Sequence, residues 1–510
     1  MKLLASVRWR IFLIAWILYS IHFATNVVRE HYPAFTLAEH GTFFLDEYQG
    51  FHSDIFVHQN GHSVVGNQVL VSVFAAIPLL VFDPLLDALE RYSKQKLIQQ
   101  GVTDADYRTD KPMRVAFFRL VKERGLDLRF GAATAITTVF FMAPITALFL
   151  VVFYDLLVRR GMNSREACQL TFLLGFASPL FYRATVLGHN MFVMGGMFFA
   201  FVLLWRVRST EPSSLVSRLG AGFFGGITLA TDYMGVIILP LLYGYMLLPR
   251  LKTAPWKKAF RESLALVVGS IPPILFLLYS QWSMYGDPFL PGQFWMPRQN
   301  AYTELGMRGF DWPAPDLLLM NLFHPGYGLY TWGPFLLLGL VPAIMFKTDK
   351  LILPRRERRF VAISFLALLI FSSANQYARL QWNSGFRYLL PLVPFIFLGI
   401  SDLWIRMPRW TRIAVTIPVL ANSWVITVFR EFSVEGSWEL FFKEGIQLPW
   451  FRILRSTAPP DATLLNGQTV PIAILILTLV SVFVIWKLGA KYEAAAEAPA
   501  LAGVAASVPR

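Results

Sequence analysis

Charge, cysteine and nucleotide-binding motifs are scarce in this chain of 510 residues. Charged residues make up 15% of the sequence, whereas a soluble protein carries about 25%, so a soluble globular enzyme is excluded. Cys168 is the only cysteine, which excludes an intramolecular disulfide, a metal-thiolate site and a redox motif. The chain has no Walker A or HExxH motif and no internal repeat. The lack of an ATP-binding motif argues against a primary pump.

Apolar residues, in contrast, are abundant and fall in long runs. They make up 55% of the chain, and the mean hydropathy is +0.50. Runs at 11–23, 264–280 and 470–486 approach the roughly 20 residues that a helix needs to cross a bilayer. A transmembrane barrel would show short alternating segments instead. The sequence therefore predicts an all-α polytopic membrane protein.

The basic residues give a formal net charge of +14, but their distribution argues against nucleic acid as a partner. They cluster in short loops between apolar runs, as the positive-inside rule describes for cytoplasmic loops. The clusters lie at 250–261, 347–359, 406–412 and 487–491. The runs between them pair as out-and-back crossings, which predicts about 12 transmembrane helices. The exterior loops then lie at 284–331, 376–386 and 431–468.

The two termini differ in character. The N-terminal run resembles a signal peptide, but no small-residue cleavage site follows it. We therefore expect an uncleaved first span with Lys2, Arg8 and Arg10 in the cytoplasm. The C-terminal tail, residues 489–510, is Ala-rich and of low complexity, so it is predicted to be disordered and cytoplasmic.

If every apolar run in the first half of the chain crossed the membrane, residue 250 would lie on the exterior side, which disagrees with the basic residues around it. One of these runs is therefore expected not to cross. The run at 67–86 contains Pro78 and Asp83, so we interpret it as a re-entrant or interfacial segment, which leaves residues 29–129 outside. The run at 217–249 is interrupted at Asp232 and is interpreted as two short helices. In the competing arrangement, 67–86 is a true span, 217–249 is one bent span, and 87–129 lies inside.

The first exterior loop, residues 29–66, is dense in titratable side chains. Its acids and histidines are Glu30, His31, Glu39, His40, Asp46, Glu47, His52, Asp54, His58 and His62. Carboxylates at the mouth of an apolar bundle can serve as general bases, and carboxylates with histidines can bind a divalent metal. Asp46 and Glu47 are the most specific candidates for functional acids, because this pair lies between the apolar residues FFL and an aromatic residue. For any single residue, capping in a solvated loop is the simpler interpretation.

Two later exterior loops combine aromatic residues with arginine. Residues 284–334 contain Arg298 and Arg308 among Pro, Gly and aromatics, and residues 376–391 present Arg379 and Arg387 at the start of a span. Aromatic rings can stack on sugars, and guanidinium groups bind phosphate bidentately. An aromatic belt and arginines anchored to lipid head groups are the alternative interpretation.

Several segments over residues 10–405 resemble the GT-C superfamily of integral-membrane glycosyltransferases, which includes protein O-mannosyltransferases and bacterial aminoarabinose and core-sugar transferases. They are YDLLVRRGMNSREA (154–167), LLGFASPLFYRATVLGHN (173–190), GDPFLPGQF (286–294), HPGYGLYTWGPFLLLGL (324–340) and WNSGFRYLLPLVPFIFL (382–398). The resemblance implies a GT-C-like catalytic region at 1–405, followed by C-terminal transmembrane helices at 406–488.

The resemblance also implies a function. Such enzymes transfer a sugar from a polyprenyl-phosphate donor to an acceptor on the exterior face, here that of a bacterial inner membrane. An acid of the first loop activates the acceptor, and the candidates in order are Asp46, Glu30 and Asp54. The lysine with which family members contact the donor phosphate has no counterpart at 66–68. The arginines are therefore the candidates for that contact. The expected substrate-binding residues are Glu47, His52, Arg183, His189, Arg298 and Arg387.

The sequence leaves the sugar and the acceptor (a lipid, glycan or protein) open. No cofactor is required by any motif, although a divalent metal is possible. The alternative function is a transporter or flippase of a lipid-linked or polar substrate, which would favour charged or broken helices in the membrane. Asp232 is the one acid in a position to lie deep, whereas the other candidate acids cluster in the first loop. This distribution favours the enzyme.

Overall fold

A computed structural model describes residues 2–101, 112–205, 214–298, 301–341, 352–381, 387–457 and 462–506. Within these ranges the chain is nearly all α-helical. Six helices are long and apolar enough to cross a membrane, or up to seven if one bent pair counts as a span. The membrane class is therefore supported, and the total of about 12 spans stays a prediction.

The helices follow one another along the chain with short connections. The first group is α1 (Val7–Ile21), α2 (His31–His40), α3 (Leu70–Val81), α4 (Asp83–Gln100), α5 (Pro112–Glu123), α6 (Asp127–Thr137), α7 (Ala143–Arg159), α8 (Ser164–Phe176), α9 (Leu180–Ala184) and α10 (Asn190–Leu204). The second group is α11 (Leu215–Thr231), α12 (Gly235–Thr253), α13 (Trp256–Tyr285), α14 (Gly292–Trp295), α15 (Pro315–Phe323) and α16 (Leu329–Trp332). The last group is α17 (Arg355–Ala374), α18 (Val393–Trp404), α19 (Arg409–Val428), α20 (Val434–Glu444), α21 (Pro449–Thr457), α22 (Thr463–Asn466) and α23 (Thr469–Ala506).

Shorter elements complete the fold. One π-helical turn, Thr138–Met142, joins α6 to α7, so that 127–159 form one continuous segment. Single 3-10 segments lie at Lys2–Ala5, Asp46–Tyr48, Ala301–Glu304, Pro334–Gly339, Gln376–Leu380 and Arg387–Leu392. The strands β1 (Ile55–Val57) and β2 (Ser63–Val65) form an antiparallel hairpin in which Ile55 faces Val65. Gly61 has a φ of 88° in its turn, a conformation that glycine adopts without strain.

The helices α1 and α7 run antiparallel. Arg8 Nε donates to Asp155 Oδ1 at 2.6 Å, and Trp16 Nε1 donates to the carbonyl of Val139 at 2.7 Å. The chain between α1 and α6 therefore begins and ends on the same side of the helix bundle. The helices α3 and α4, which meet at 77°, lie within this stretch and make no net crossing. This geometry agrees with the re-entrant or interfacial interpretation of 67–86.

Arg129 ties α4 and α6 to the first loop. Its side chain is 4% exposed, and its guanidinium forms ion pairs with Glu39, Asp87 and Glu90. Arg124 also donates to the carbonyl of Glu47 at 2.9 Å. Because a buried guanidinium needs partners to offset its desolvation, these contacts hold α4 and the start of α6 beside the first loop.

The chain reverses at Asp232, as the interrupted apolar run predicts. A Cβ atom on Gly225 of α11 would lie 2.9 Å from Leu239 and 3.3 Å from Leu242 of α12. The two helices therefore fold back on each other as a hairpin. Residues 217–249 form two helices, and their connection lies at the same end of the bundle as His189, which approaches Asp232.

Close packing of α11 against α13 depends on glycine. A Cβ atom on Gly269 would lie 2.0 Å from the carbonyl oxygen of Leu219, and one on Gly222 would lie 2.0 Å from that of Leu266. Such contacts between small residues let membrane helices approach closely. A larger side chain at either position must push the helices apart.

The C-terminal helices pack on the first half of the chain. Arg412 pairs with Glu166 at 2.6 Å, Trp424 Nε1 donates to His22 Nε2 at 3.0 Å, and Trp450 Nε1 donates to the carbonyl of Ile21 at 3.0 Å. The helix α23 continues to Ala506, into the Ala-rich segment that was expected to be disordered. Alanine is the strongest helix former, which accounts for the continuation.

The first prediction concerns topology. In a Cys168→Ser background, a cysteine replacing Gln99 should react with a membrane-impermeant maleimide from the same side as one replacing His40. A cysteine replacing Lys252, which lies near the end of α12, should react only from the other side. Labelling of Gln99→Cys together with Lys252→Cys would mean that 67–86 crosses the membrane.

The second prediction concerns helix packing. Gly269→Ala should destabilise the protein by about 1–3 kcal/mol, as overpacking typically does. Gly131→Ala is the matched control, because a Cβ atom on Gly131 of α6 meets nothing within 4 Å, and its thermal midpoint should be unchanged or higher. Midpoints measured in detergent by size-exclusion chromatography test this, and equal values for the two variants would contradict it.

Candidate functional site

Buried polar side chains gather where the first loop meets the start of α10 and the α11–α12 connection. Glu30 is 7% exposed, and its Oε1 accepts a hydrogen bond from His189 Nδ1 at 2.5 Å. On the other side of the ring, His189 Nε2 lies 3.3 Å from Asp232 Oδ2. One imidazole therefore bridges two carboxylates that come from distant parts of the sequence.

Local structure positions Glu30, His189 and Asp232. Glu30 precedes the first turn of α2, and its carbonyl accepts from Ser72 Oγ of α3 at 2.7 Å. Asp232 follows the last residue of α11, and its Oδ1 accepts from the backbone N–H of Met234 at 2.9 Å. His189 precedes the first turn of α10. All three lie at helix ends, where a side chain can reach beyond the apolar part of the bundle.

Arg29 joins a third carboxylate to the cluster. Its Nη1 donates to Asp54 Oδ2 at 2.9 Å, and its Nε lies 3.4 Å from Glu30 Oε1. Asn67 Nδ2 also donates to Asp54 Oδ2 at 3.2 Å, and the N–H of Gly66 donates to the Asp54 carbonyl at 3.0 Å. Asp54, which precedes β1, is thereby held by Arg29 and by the two residues that follow β2. Its side chain is 20% exposed.

The three carboxyl groups are held ionised although they are largely buried. Burial favours the neutral form of Glu30, but Arg29 and His189 outweigh it and lower its pKa well below the usual range. The pKa of Asp54 is lowered against burial by His52, Arg29 and Arg387. The pKa of Asp232 is lowered against burial mainly by the hydrogen bond from His189. Opposite charges and donated hydrogen bonds both favour the carboxylate form.

Two arginines, Arg183 and Arg387, interact with these acids, and a third, Arg430, interacts with Arg183. Burial lowers the pKa of Arg183 to about 10, and its electrostatic neighbours include Arg387, Glu30 and Arg430. Burial also lowers the pKa of Arg430, a residue 3% exposed, to about 10. Arg430 Nη2 donates to Thr185 Oγ1 at 3.0 Å, and its guanidinium lies 4.7 Å from the centre of the Tyr182 ring.

Each of the three arginines keeps one nitrogen without a partner. Within the described residues, Arg183 Nε, Arg387 Nε and Arg430 Nη1 are fully buried and have no hydrogen-bond partner. Buried polar atoms are nearly always paired, and a guanidinium binds carboxylate or phosphate groups in a fixed geometry. The arrangement can therefore receive an anionic group.

The first loop and the exterior loop that follows α13, which we call the central loop, meet beside the cluster. Tyr285 at the end of α13 donates its hydroxyl to the carbonyl of Val65. A Cβ atom on Gly292 would lie 2.8 Å from the carbonyl carbon of Gly66. The two loops that stand out in the sequence are therefore in direct contact, next to the Asn67 that holds Asp54.

The structure brings together some of the residues expected from the sequence and leaves others outside. Glu30, Asp54, His52, Arg183, His189 and Arg387 belong to the buried cluster. Asp46, Glu47 and Arg298 do not join it, because each is at least half exposed and pairs at the surface. Asp46 binds His62 Nδ1 at 2.8 Å and the N–H of Ser63 at 2.6 Å, which fixes the start of β2.

Three members of the cluster were not among the expected site residues: Arg29, Asp232 and Arg430. Asp232 could have been identified from the sequence, because it is an acid that interrupts a long apolar run. Arg29 directly precedes Glu30, so adjacency to a candidate acid could have marked it. Arg430 follows α19 in a segment assigned to the C-terminal helices, and no local pattern indicates that it reaches Tyr182.

A divalent metal has one candidate site in the described part of the chain. Ligand atoms of Glu39, His40 and Glu47 lie within 4.8 Å of one another. His40 and Glu47 are both at least half exposed, and Arg129 already pairs with Glu39. The group shares no member with the buried cluster, so we assign it no part in the chemistry of that cluster.

No protein-family model, curated protein or solved structure matches this chain. The GT-C resemblance therefore rests on the sequence segments alone.

The third prediction is a pH dependence. A carboxyl group whose pKa is lowered by folding adds stability above its unfolded pKa, and this stability is lost as the pH falls through the folded value. The ordinary pKa of Glu30 is 4.5, so the wild-type protein should lose more of its thermal midpoint below this pH than Glu30→Gln does. Glu304→Gln, which changes an exposed surface pair, should follow the wild-type curve. Parallel curves for Glu30→Gln and the wild type would contradict the buried pairing.

Proposed function

We propose that this protein is a membrane glycosyltransferase that transfers a sugar from a polyprenyl-phosphate donor to an acceptor. The observation that carries the proposal is the group of three arginines, each with one buried nitrogen that has no partner among the described residues, close to ionised carboxylates. We assign the reaction to the exterior side of a bacterial inner membrane, since the basic loops predict that the cluster faces away from the cytoplasm.

The arginines suit the donor phosphate. Arg430 is buried, Arg183 and Arg387 are partly buried, and Arg430 has no carboxylate among its described hydrogen-bond partners. The phosphodiester of a lipid-linked sugar has one negative charge, and the phosphate gains a second as the bond to the sugar breaks. Fixed guanidinium groups stabilise the charge that develops on this leaving group.

Asp54 suits the role of general base. Its Oδ2 is held by Arg29 and Asn67, whereas the described contact to Oδ1 is a long one of 3.5 Å from Ser53 Oγ. In the step that we propose, the acceptor hydroxyl oxygen attacks the anomeric carbon and its proton passes to Asp54. The bond from that carbon to the phosphate oxygen breaks, and the polyprenyl phosphate leaves with the electron pair. Geometry favours Asp54 over Asp46, since Asp46 is 53% exposed.

A transporter of a lipid-linked or polar substrate is the second candidate. It is favoured by the buried Glu30–His189–Asp232 chain at a helix break, because interrupted helices and buried acids mark ion and substrate paths in transporters. A transporter would move a labelled polyprenyl-phosphate sugar or its sugar across liposomes without breaking the sugar–phosphate bond.

The fourth prediction compares two aspartates. Vesicles with the protein receive a panel of polyprenyl-phosphate hexoses and pentoses with a cell-envelope extract as acceptor, and mass spectrometry measures released polyprenyl phosphate. Asp54→Asn should lower release by about 100-fold or more, the usual range for loss of a general base. Asp46→Asn is the matched substitution on an exposed carboxylate and should retain most of the activity.

Both variants must be present in the membrane at wild-type amounts. Full activity in Asp54→Asn with loss in Asp46→Asn would return the catalytic role to Asp46. Translocation of intact donor without release would favour the transporter.

A further inference from the structure

In the described residues, a second group of buried atoms without a hydrogen-bond partner lies where the first loop touches the central loop, and it contains no guanidinium or carboxylate group. They are His58 Nε2, Gln68 Nε2, Gln293 Oε1 and Trp295 Nε1. Other buried atoms without a partner are scattered over the described residues, whereas these come from two loops that touch each other.

Contacts between the two loops bring this group together. The rings of His58 and Trp295 lie 4.9 Å apart at an interplanar angle of 80°. Tyr285 lies 6.3 Å from Trp295, nearly parallel at 18°. Gln293 is in the same helical turn as Trp295, α14, and that turn packs on Gly66, two residues before Gln68.

The hydrogen-bonding character of the four atoms is mixed. The N–H of Asn60 donates to His58 Nδ1 at 3.5 Å, so the ring proton is assigned to Nε2, and His58 is 9% exposed. His58, Gln68 and Trp295 therefore offer donors, and Gln293 offers an acceptor. A phosphate has no proton to give to Gln293 when it is fully ionised. A hydroxylated ring can accept from the donors and donate to the carbonyl.

We propose that His58, Gln293 and Trp295 line a subsite for a sugar ring, with Gln68 at its edge. Trp295, which is partly buried, provides aromatic surface of the kind that packs on the apolar face of a sugar, and Tyr285, which is 4% exposed, packs against Trp295. The inference deepens the proposed function and rests on it for the choice of lipid-linked sugars as ligands. The ring could belong to the donor or to a glycan acceptor, and the experiment separates these sources.

The location connects the subsite to the carboxylate cluster. The hydroxyl of Tyr233 accepts from Gln281 Nε2 at 2.9 Å and also hydrogen-bonds to the backbone of Gly292 in α14. Tyr233 directly follows Asp232. On the other loop, Gln68 directly follows Asn67, which holds Asp54. A sugar in the subsite would thus lie next to the segments that carry two of the ionised acids.

The fifth prediction tests binding with purified protein in nanodiscs. The probes are polyprenyl-phosphate mannose, glucose and arabinose, bare polyprenyl phosphate of the same chain length, and the free methyl glycosides of the three sugars. At least one sugar-bearing lipid should bind the wild type more tightly than the bare lipid. Trp295→Phe and Gln293→Leu should each reduce that advantage by about tenfold, the effect of one lost hydrogen bond, and leave the affinity for the bare lipid unchanged.

Two controls separate binding from folding. Trp312→Phe changes a tryptophan of the same loop that is 87% exposed, and it should bind every probe as the wild type does. Gln293→Leu should not lower the thermal midpoint without ligand, because it removes a buried group that has no partner to lose. A lower midpoint together with unchanged sugar preference would show that Gln293 is structural and would overturn the subsite.

The outcomes distinguish this inference from the proposed function. If the sugar-bearing lipids keep their advantage in both variants, the subsite is wrong and the glycosyltransferase proposal stands. If the wild type binds no polyprenyl phosphate but binds a methyl glycoside in a manner that depends on Trp295, the subsite stands and the choice of donor falls. A preference seen only with lipid-linked sugars assigns the ring to the donor, and one seen with free glycosides assigns it to an acceptor. Binding of no probe overturns both.

Discussion

The arrangement of the candidate site depends on the pairing of Arg29 with two carboxylates. Glu30 and Asp54 are largely buried, and a buried carboxylate without a cation would be costly or would take up a proton. Arg29 contacts both, so it fixes the β-hairpin region of the first loop against the start of α2. The position of Gly66, and through it the contact with α14 of the central loop, follows from that pairing. Loss of Arg29 would therefore disturb every later contact of the two loops.

Much of the helical architecture could be predicted from the sequence because apolar runs of sufficient length have few alternatives in a membrane. The break at Asp232 was predictable for the same reason, since an acid and its neighbours interrupt such a run. Charge parity and Pro78 predicted that the segment at 67–86 does not cross, and the antiparallel packing of α1 and α7 agrees with that prediction. Adjacent acids drew attention to Asp46 and Glu47, but a 3-10 turn directs Asp46 to Ser63 and His62 at the surface. The approach of Arg430 to Tyr182 depends on tertiary packing of α19, for which the sequence has no local signal.

Among the buried polar atoms that have no partner within the described residues, two chemically different groups lie at the candidate site and at the junction of the two loops. Arginine nitrogens gather near Glu30, and uncharged donors and an acceptor gather near Trp295. A lipid-linked sugar has the same division, with a charged phosphate joined to an uncharged hydroxylated ring. In a membrane, neither kind of group finds a hydrogen-bond partner among the lipid chains, so each must be paired by the protein or by a ligand.

The connection between α11 and α12 places two neighbouring residues in different surroundings. Asp232 approaches His189, whereas the hydroxyl of Tyr233 holds the backbone of Gly292. Because consecutive residues share a peptide plane, a displacement of the central loop at Gly292 would be transmitted to the carboxylate of Asp232 within one residue. Occupancy of the junction between the loops and the contact between Asp232 and His189 are then mechanically coupled through a single turn of backbone.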